Sequence, residues 1–169
     1  MNKMRELKVR KAVINIGVGE AGEPLVKAQK VLEILTNHSS IQTLSKKTNK
    51  DLGIREGMPI GCKVTLRDAE AVEFIKRALW VKNNRLANYN FDREGNFSFG
   101  IPDYTDFQDM RYDPDIGIFG MDVSVTVERP GARVSKRRKN KARIGRKHRV
   151  KREESMDFIK EKFNVEIVE

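Results

Sequence analysis

The sequence predicts an α+β fold: a mixed, mainly antiparallel sheet with helices packed on one face, and a long basic arm. Three observations carry this. β-branched, alternating runs stand at residues 9–16, 60–67 and 121–127. Apolar residues recur at helical spacing in three other places. One stretch, residues 129–152, holds 13 Lys+Arg and no acid. The 169 residues suit a single domain, 1–169, with the arm at about 129–152 and a terminal helix at about 153–164.

Residues 9–16 (VRKAVINI) are rich in β-branched side chains and end at Gly17, so they read as a strand. Pro24 suits a first helical turn, and Leu25, Ala28, Leu32 and Leu35 carry a helix to about Asn37. Residues 41–45 read as a second strand. Residues 46–57 are polar, basic and punctuated by Gly, which predicts a long mobile loop. In 60–67, Ile60, Cys62, Val64 and Leu66 share one side; Gly61, Lys63, Thr65 and Arg67 share the other. Asp68 is placed to cap a helix carrying Ala71, Val72, Ile75, Ala78 and Leu79, with Trp80 and Leu86 extending its apolar face. Residues 96–101 form a short strand after the Arg93-Glu94-Gly95 turn. Residues 121–127 form another, with Val123, Val125 and Val127 inward. Ser155 can cap a last helix that aligns Met156, Ile159 and Phe163, and residues 165–168 add an edge strand. No repeat and no Pro/Ser-rich linker interrupts the chain.

Composition excludes several functions. A lone Cys62 leaves no disulfide framework and no Cys-based zinc site, and two His residues far apart make a His metal site improbable. No apolar stretch reaches about 18 residues, so nothing is expected to span a membrane. Residues 1–11 have no apolar signal core. No metal, cofactor or small-molecule substrate is implied. A basic cytoplasmic protein with a polyanionic partner remains.

The net charge of +10 comes wholly from residues 129–152, because the rest of the chain has 21 bases against 24 acids. Such a run is not expected to fold on itself, since its repulsion is not offset by apolar burial. A solvated tail or localisation signal is one reading. The run is internal and followed by a helix, which favours an arm threading into folded nucleic acid. Its candidate phosphate contacts are Arg133, Lys136, Arg137, Arg138, Lys139, Arg143, Arg146, Lys147 and Arg149. Their Arg bias suits bidentate phosphate contacts. His148 reads as a further RNA-facing donor. The opposite bias lies upstream, where residues 88–116 hold seven acids and two bases. Its Asp103, Asp106, Asp109, Asp113 and Asp115 are either a solvated acidic loop or a surface for a basic protein.

Alternation also selects a sheet face. Lys11 and Asn15 oppose Ala12, Ile14 and Ile16, while Lys63, Thr65 and Arg67 oppose Cys62, Val64 and Leu66. If the two strands are neighbours, one open face carries Lys11, Asn15, Lys63, Thr65 and Arg67. That mixture suits sugar, phosphate and base edges of RNA; an ordinary solvated face is the alternative.

Two rival functions are weighed. Gly17-Val18-Gly19-Glu20-Ala21-Gly22 matches the G-x-G-x-x-G of dinucleotide sites, between a strand and a helix. No ribose-binding acid follows at the required distance, no further βαβ unit follows, and Glu20 and Glu23 would face a pyrophosphate. A tight strand-to-helix connection is the preferred reading. A DNA-packaging protein or generic RNA chaperone is the other rival; it would bind unrelated nucleic acids equally. No nucleophile motif or P-loop lysine supports catalysis, and Cys62 falls on the inward side.

The run from Ala12 to Ala21 (AVINIGVGEA) resembles the opening strand and turn of the large-subunit ribosomal protein five (L-five) family. The run from Ile54 to Arg67 (IREGMPIGCKVTLR) resembles that family's most distinctive block. Phe91-Asp92, Gly95-Asn96, Ser98 and Gly100-Ile101 resemble its third block; Tyr112-Asp113 and Gly120-Met121-Asp122 resemble its fourth. The blocks keep the family's order. The first strand begins near Val9, without the helical extension of the bacterial branch, and the basic arm resembles the archaeal and eukaryotic branch. Arm contacts of bacterial relatives therefore do not transfer. The resemblance implies a non-enzymatic constituent of the large ribosomal subunit that binds 5S rRNA and docks it in the central protuberance, alongside large-subunit rRNA. It implies RNA contacts at Lys11, Asn15, Thr65 and Arg67, the residues that alternation turns outward. It further implies that the loop at about 46–56, with Lys46, Lys47, Lys50 and Arg55, reaches the peptidyl-site tRNA. The acidic blocks would meet a basic protein of the small-subunit head.

Overall fold

A computed structural model describes residues 2–108 and 110–168. The chain runs β1 (Lys8–Gly17), α1 (Glu23–Thr36), β2 (Ile41–Leu44), β3 (Pro59–Arg67), α2 (Asp68–Val81) and β4 (Arg85–Ala87). It continues with β5 (Phe97–Ile101), β6 (Met121–Glu128), α3 (Arg152–Phe163) and β7 (Glu166–Val168). Five strands make one sheet in the order β2-β3-β1-β6-β5, and β4 pairs with β7 in parallel. This is the expected α+β architecture with a mainly antiparallel sheet.

Contacts divide the chain into two compact units. The first is Met1–Ala12, Arg67–Phe99 and Ser124–Glu169; the second is Val13–Leu66 and Gly100–Val123. The second unit is built from alternation. Ile14 and Ile16 of β1 and Cys62, Val64 and Leu66 of β3 are buried. Helix α1 adds Leu25, Ala28, Val31, Leu32 and Leu35 at helical spacing, and each such large side chain contributes about 1.5–3 kcal/mol. Pro24 stands in the first turn of α1. Asn37 ends it in the left-handed region at φ 55, its N–H donating to the Glu33 carbonyl at 2.8 Å.

The first unit packs α2 and α3 residues into its own core: Phe74, Ile75 and Leu79 from α2, Ile159 and Phe163 from α3. The Phe91 and Phe97 rings meet at 5.3 Å in a tilted pair. Buried Ser155 donates its Oγ to the Gly95 carbonyl at 2.6 Å. The Arg85 guanidinium meets Glu166 at 3.1 Å across the β4–β7 ladder.

Four local expectations are corrected. Gly61, assigned to the outward side of β3, is buried: a Cβ there would lie 2.7 Å from the Ile16 carbonyl oxygen and 2.9 Å from Thr43 Oγ1, so the strands close over it. Asp68 does not cap α2. It is the first helical residue, at φ 48, and its carboxylate meets the Arg10 guanidinium at 3.4 Å instead. Trp80 does not extend the apolar face, being 50% exposed, whereas Leu86 is buried. Ser155 lies inside the first turn of α3 rather than ahead of it, because its hydroxyl is committed to Gly95.

Candidate nucleic-acid interface

The strand residues fall as alternation requires. On β3, Lys63 and Thr65 are exposed while Cys62, Val64 and Leu66 are buried. Asn15 of β1 is half-buried between buried Ile14 and Ile16. These three belong to the second unit. Lys11, half-buried beside buried Ala12, and exposed Arg67 belong to the first. None of the five is a core residue.

The arm overturns the expectation that it cannot fold on itself. Arg129 is only 12% exposed and pairs with Glu154 at 2.9 Å. Its other terminal nitrogen donates to the carbonyls of Lys147 at 3.4 Å and Arg149 at 3.5 Å. The Ala142 N–H donates to the Val134 carbonyl at 3.2 Å. Arg152 holds the far end by donating to the Asn88 carbonyl and, at 2.8 Å, to the Asn88 side-chain oxygen. The segment is thus a loop closed at its neck. Closure succeeds because the acceptors are neutral backbone carbonyls and acids flanking the run, so the like charges need not meet. His148 is part of the neck as well: a ring nitrogen lies 2.9 Å from the Pro130 carbonyl, and the residue also lines the cleft behind the loop.

Of the selected arm residues, Lys136 pairs with Glu128, and the Arg137 Nε donates to the Asn140 carbonyl at 2.7 Å. Arg133, Arg138, Lys139, Arg143, Arg146, Lys147 and Arg149 are exposed. The closed loop walls a cleft of about 970 Å³ within the first unit, where Arg143 and Arg149 converge with Lys11 of β1. Arg93, Lys141 and Lys151 also line it, and sequence reasoning missed them. Lys141 and Lys151 lay inside the basic run; Arg93 is separated from it by more than thirty residues of sequence and carried no signal.

The expected mobile loop is instead a backbone-paired extension of the β2–β3 hairpin. Asn49 and Ile54 exchange both N–H···O bonds, at 2.8 and 3.0 Å. Ser45 and Met58 are joined at 2.8 Å, and Thr48 Oγ1 accepts from the Glu56 N–H at 3.0 Å. Local hydroxyl and amide side chains supply part of this bonding. Lys46, Lys47, Lys50 and Arg55 all stand exposed on this finger.

In the acidic segment, Asp103 caps a short helical turn, its carboxylate accepting from the Thr105 N–H at 2.9 Å. Asp113 accepts from the Asp115 N–H at 2.9 Å. These two carboxylates build turns. Asp106 and Asp115 are exposed; Asp109 lies outside the described residues.

The glycine-rich turn is not a phosphate cradle. The Val18 and Gly19 N–H groups both donate to the Ile60 carbonyl, at 3.0 and 2.8 Å, and a pyrophosphate would need such donors free. Burial pushes the Cys62 thiol up to about 11, as suits an inert core thiol.

Comparison with known proteins agrees with this non-catalytic surface. Residues 2–55 match the family described as Ribosomal protein L5, and residues 59–158 match the C-terminal part of the same ribosomal family. The chain is 51% identical to the large ribosomal subunit protein uL5 of Thermoplasma volcanium over 169 residues, covering 99% of both. It is 49% identical to that of Sulfurisphaera tokodaii, over all of this chain and 96% of the relative. The relative from Methanosphaera stadtmanae is 49% identical, with 99% of each chain covered. These archaeal relatives are named as large-subunit proteins, which puts the family in the cytoplasmic ribosome. Cationic strand residues, a cationic finger and a closed basic loop, with no catalytic constellation among the described residues, are what remain of the candidate sites, and the chain belongs to the ribosomal protein L5 family, whose role is structural and not enzymatic.

Proposed function

We propose that this protein binds 5S rRNA and anchors it in the central protuberance of the large ribosomal subunit, with large-subunit rRNA as a second partner. The observation that carries the reading is the division of labour along β3: Lys63, Thr65 and Arg67 are exposed while their strand neighbours are buried, so the outward side is kept polar for a ligand. Asn15 and Lys11 add a hydrogen-bonding amide and a cation on β1. Amide, hydroxyl and cationic groups together read RNA shape, sugar and phosphate. The exposed arm residues Arg133, Arg138, Lys139, Arg143, Arg146, Lys147 and Arg149 supply phosphate neutralisation. In the same reading the finger bearing Lys46, Lys47, Lys50 and Arg55 meets the peptidyl-site tRNA. Asp106, Asp109 and Asp115, with the turn-forming Asp103 and Asp113, meet a basic protein of the small-subunit head.

The test is competition at one fixed salt concentration between 5S rRNA and bulk RNA for the intact chain. Selective retention of 5S rRNA is expected, and the double variant Asn15→Ala, Thr65→Ala should weaken it about tenfold or more while circular dichroism stays unchanged. Equal affinity for bulk RNA would favour the generic chaperone instead and remove the 5S assignment.

A further inference from the structure

We propose that the cleft walled by the arm takes a single unpaired nucleotide of an RNA strand, phosphates on its rim and base against its apolar wall. The inference rests on the RNA-binding reading above and deepens it. Three features of the cleft point to this ligand.

The rim is cationic on balance: Lys11, Arg93, Lys141, Arg143, Arg149 and Lys151 line it, against two acids, Glu94 and Glu128, of which Glu128 is engaged by Lys136. Phosphate neutralisation alone would be satisfied by such a rim. The wall, however, is apolar. Ile144 sits between Arg143 and Gly145 in the basic run, half-buried and facing the cleft with half-buried Val150. An apolar side chain inside a cationic segment serves no phosphate, but it does serve the face of a base. Finally, the volume of about 970 Å³ is of the size that encloses one small ligand, and Arg129 and His148 hold the wall in place beforehand through the neck contacts. A paired helix keeps its bases stacked and would offer this cleft only its backbone; a bulged or looped-out nucleotide offers both parts.

The test uses the intact chain and two RNA hairpins with the same number of phosphates, read by fluorescence anisotropy at one salt concentration. One is fully paired; the other carries a single bulged 2-aminopurine. The bulged hairpin should bind about tenfold more tightly, and its 2-aminopurine emission should change on binding. Ile144→Ser should abolish the preference and leave affinity for the paired hairpin unchanged. Arg143→Gln should weaken both hairpins, which reports on the rim without touching the apolar wall. Free adenosine monophosphate in millimolar excess should not displace the bulged hairpin; displacement would make this a free-nucleotide site and overturn the proposal. Equal affinity for the two hairpins, or a preference that survives Ile144→Ser, overturns the cleft assignment and leaves RNA binding standing. Failure to bind either hairpin overturns both.

Discussion

Cys62 and Lys63 are adjacent in the sequence and opposite in fate. One is fully buried and the other exposed, because the side-chain period of a strand is two residues. Removal from water disfavours the thiolate and raises the Cys62 pKa from 9.0 to about 11. The sign follows directly: the folded protein prefers the neutral thiol, so the stability linked to this group is complete below pH 9 and is lost as pH climbs through about 11. At pH 8 only about one thiol in a thousand would be ionised, and that one is shielded. Alkylation by an iodoacetamide-type reagent at pH 8 should therefore be slow in the folded protein, and should jump when denaturant unfolds it. Labelling of native protein at the unfolded rate would show that this side of β3 is open. The same finding would undermine the claim that Lys63 and Thr65 occupy the free side. Gly61 shows how tightly the register is set, since a single added methyl group there would press on the Ile16 backbone.

The arm is the element whose behaviour depends most on a few contacts. Arg129 reaches residues 18, 20 and 25 positions further along the chain, and these bonds close the neck. Arg129→Ala should cost about 1–3 kcal/mol, since it removes the charged partner of Glu154, which keeps only the Lys151 N–H, and takes a donor from two carbonyls. Its signature should be local. Limited trypsin digestion of the native protein should cut first in the exposed crown at 136–143, and the variant should add rapid cuts at 146–152. An unchanged cleavage pattern would mean that the neck is not held by Arg129. The contrast with the strands explains what the sequence makes legible. Alternation and helical spacing are local properties, so β1, α1, β3, β6 and the cores of α2 and α3 can be read from the chain directly. The neck joins residues far apart in sequence, and the finger is paired through a few backbone bonds and single hydroxyl and amide side chains; Trp80, by contrast, lies about 180° around α2 from Ala71, so helical spacing itself turns it to solvent. Of the cleft, the basic run and Lys11 were legible; Arg93 was not, because only tertiary closure brings it to that wall.

At the scale of the whole molecule, charge and shape are separated along the chain. All of the +10 resides in residues 129–152, while the strand residues Asn15 and Thr65 are uncharged. These two sources of affinity respond differently to salt. Each phosphate neutralised by Lys or Arg releases counterions, so log affinity falls with log salt at a slope of roughly −0.7 to −0.9 per contact, whereas neutral hydrogen bonds leave the slope unaltered. Lys136 and Arg137 already have partners within the protein, which leaves seven of the nine selected arm residues with their charge turned to solvent. Those seven residues should therefore contribute a slope of about −5 to −6 on RNA. Replacing Arg138, Lys139, Arg143 and Arg146 with Gln should flatten that slope by about 3 and weaken binding most at low salt. Asn15→Ala with Thr65→Ala should shift the line down without tilting it. The two variants together thus distinguish an arm that supplies charge from strands that supply shape. A slope that stays the same in the fourfold Gln variant would place the phosphate contacts elsewhere on the molecule, on the strand cations Lys11, Lys63 and Arg67 or on the finger at Lys46, Lys47 and Lys50, and the arm would then have to act through its closed, folded form.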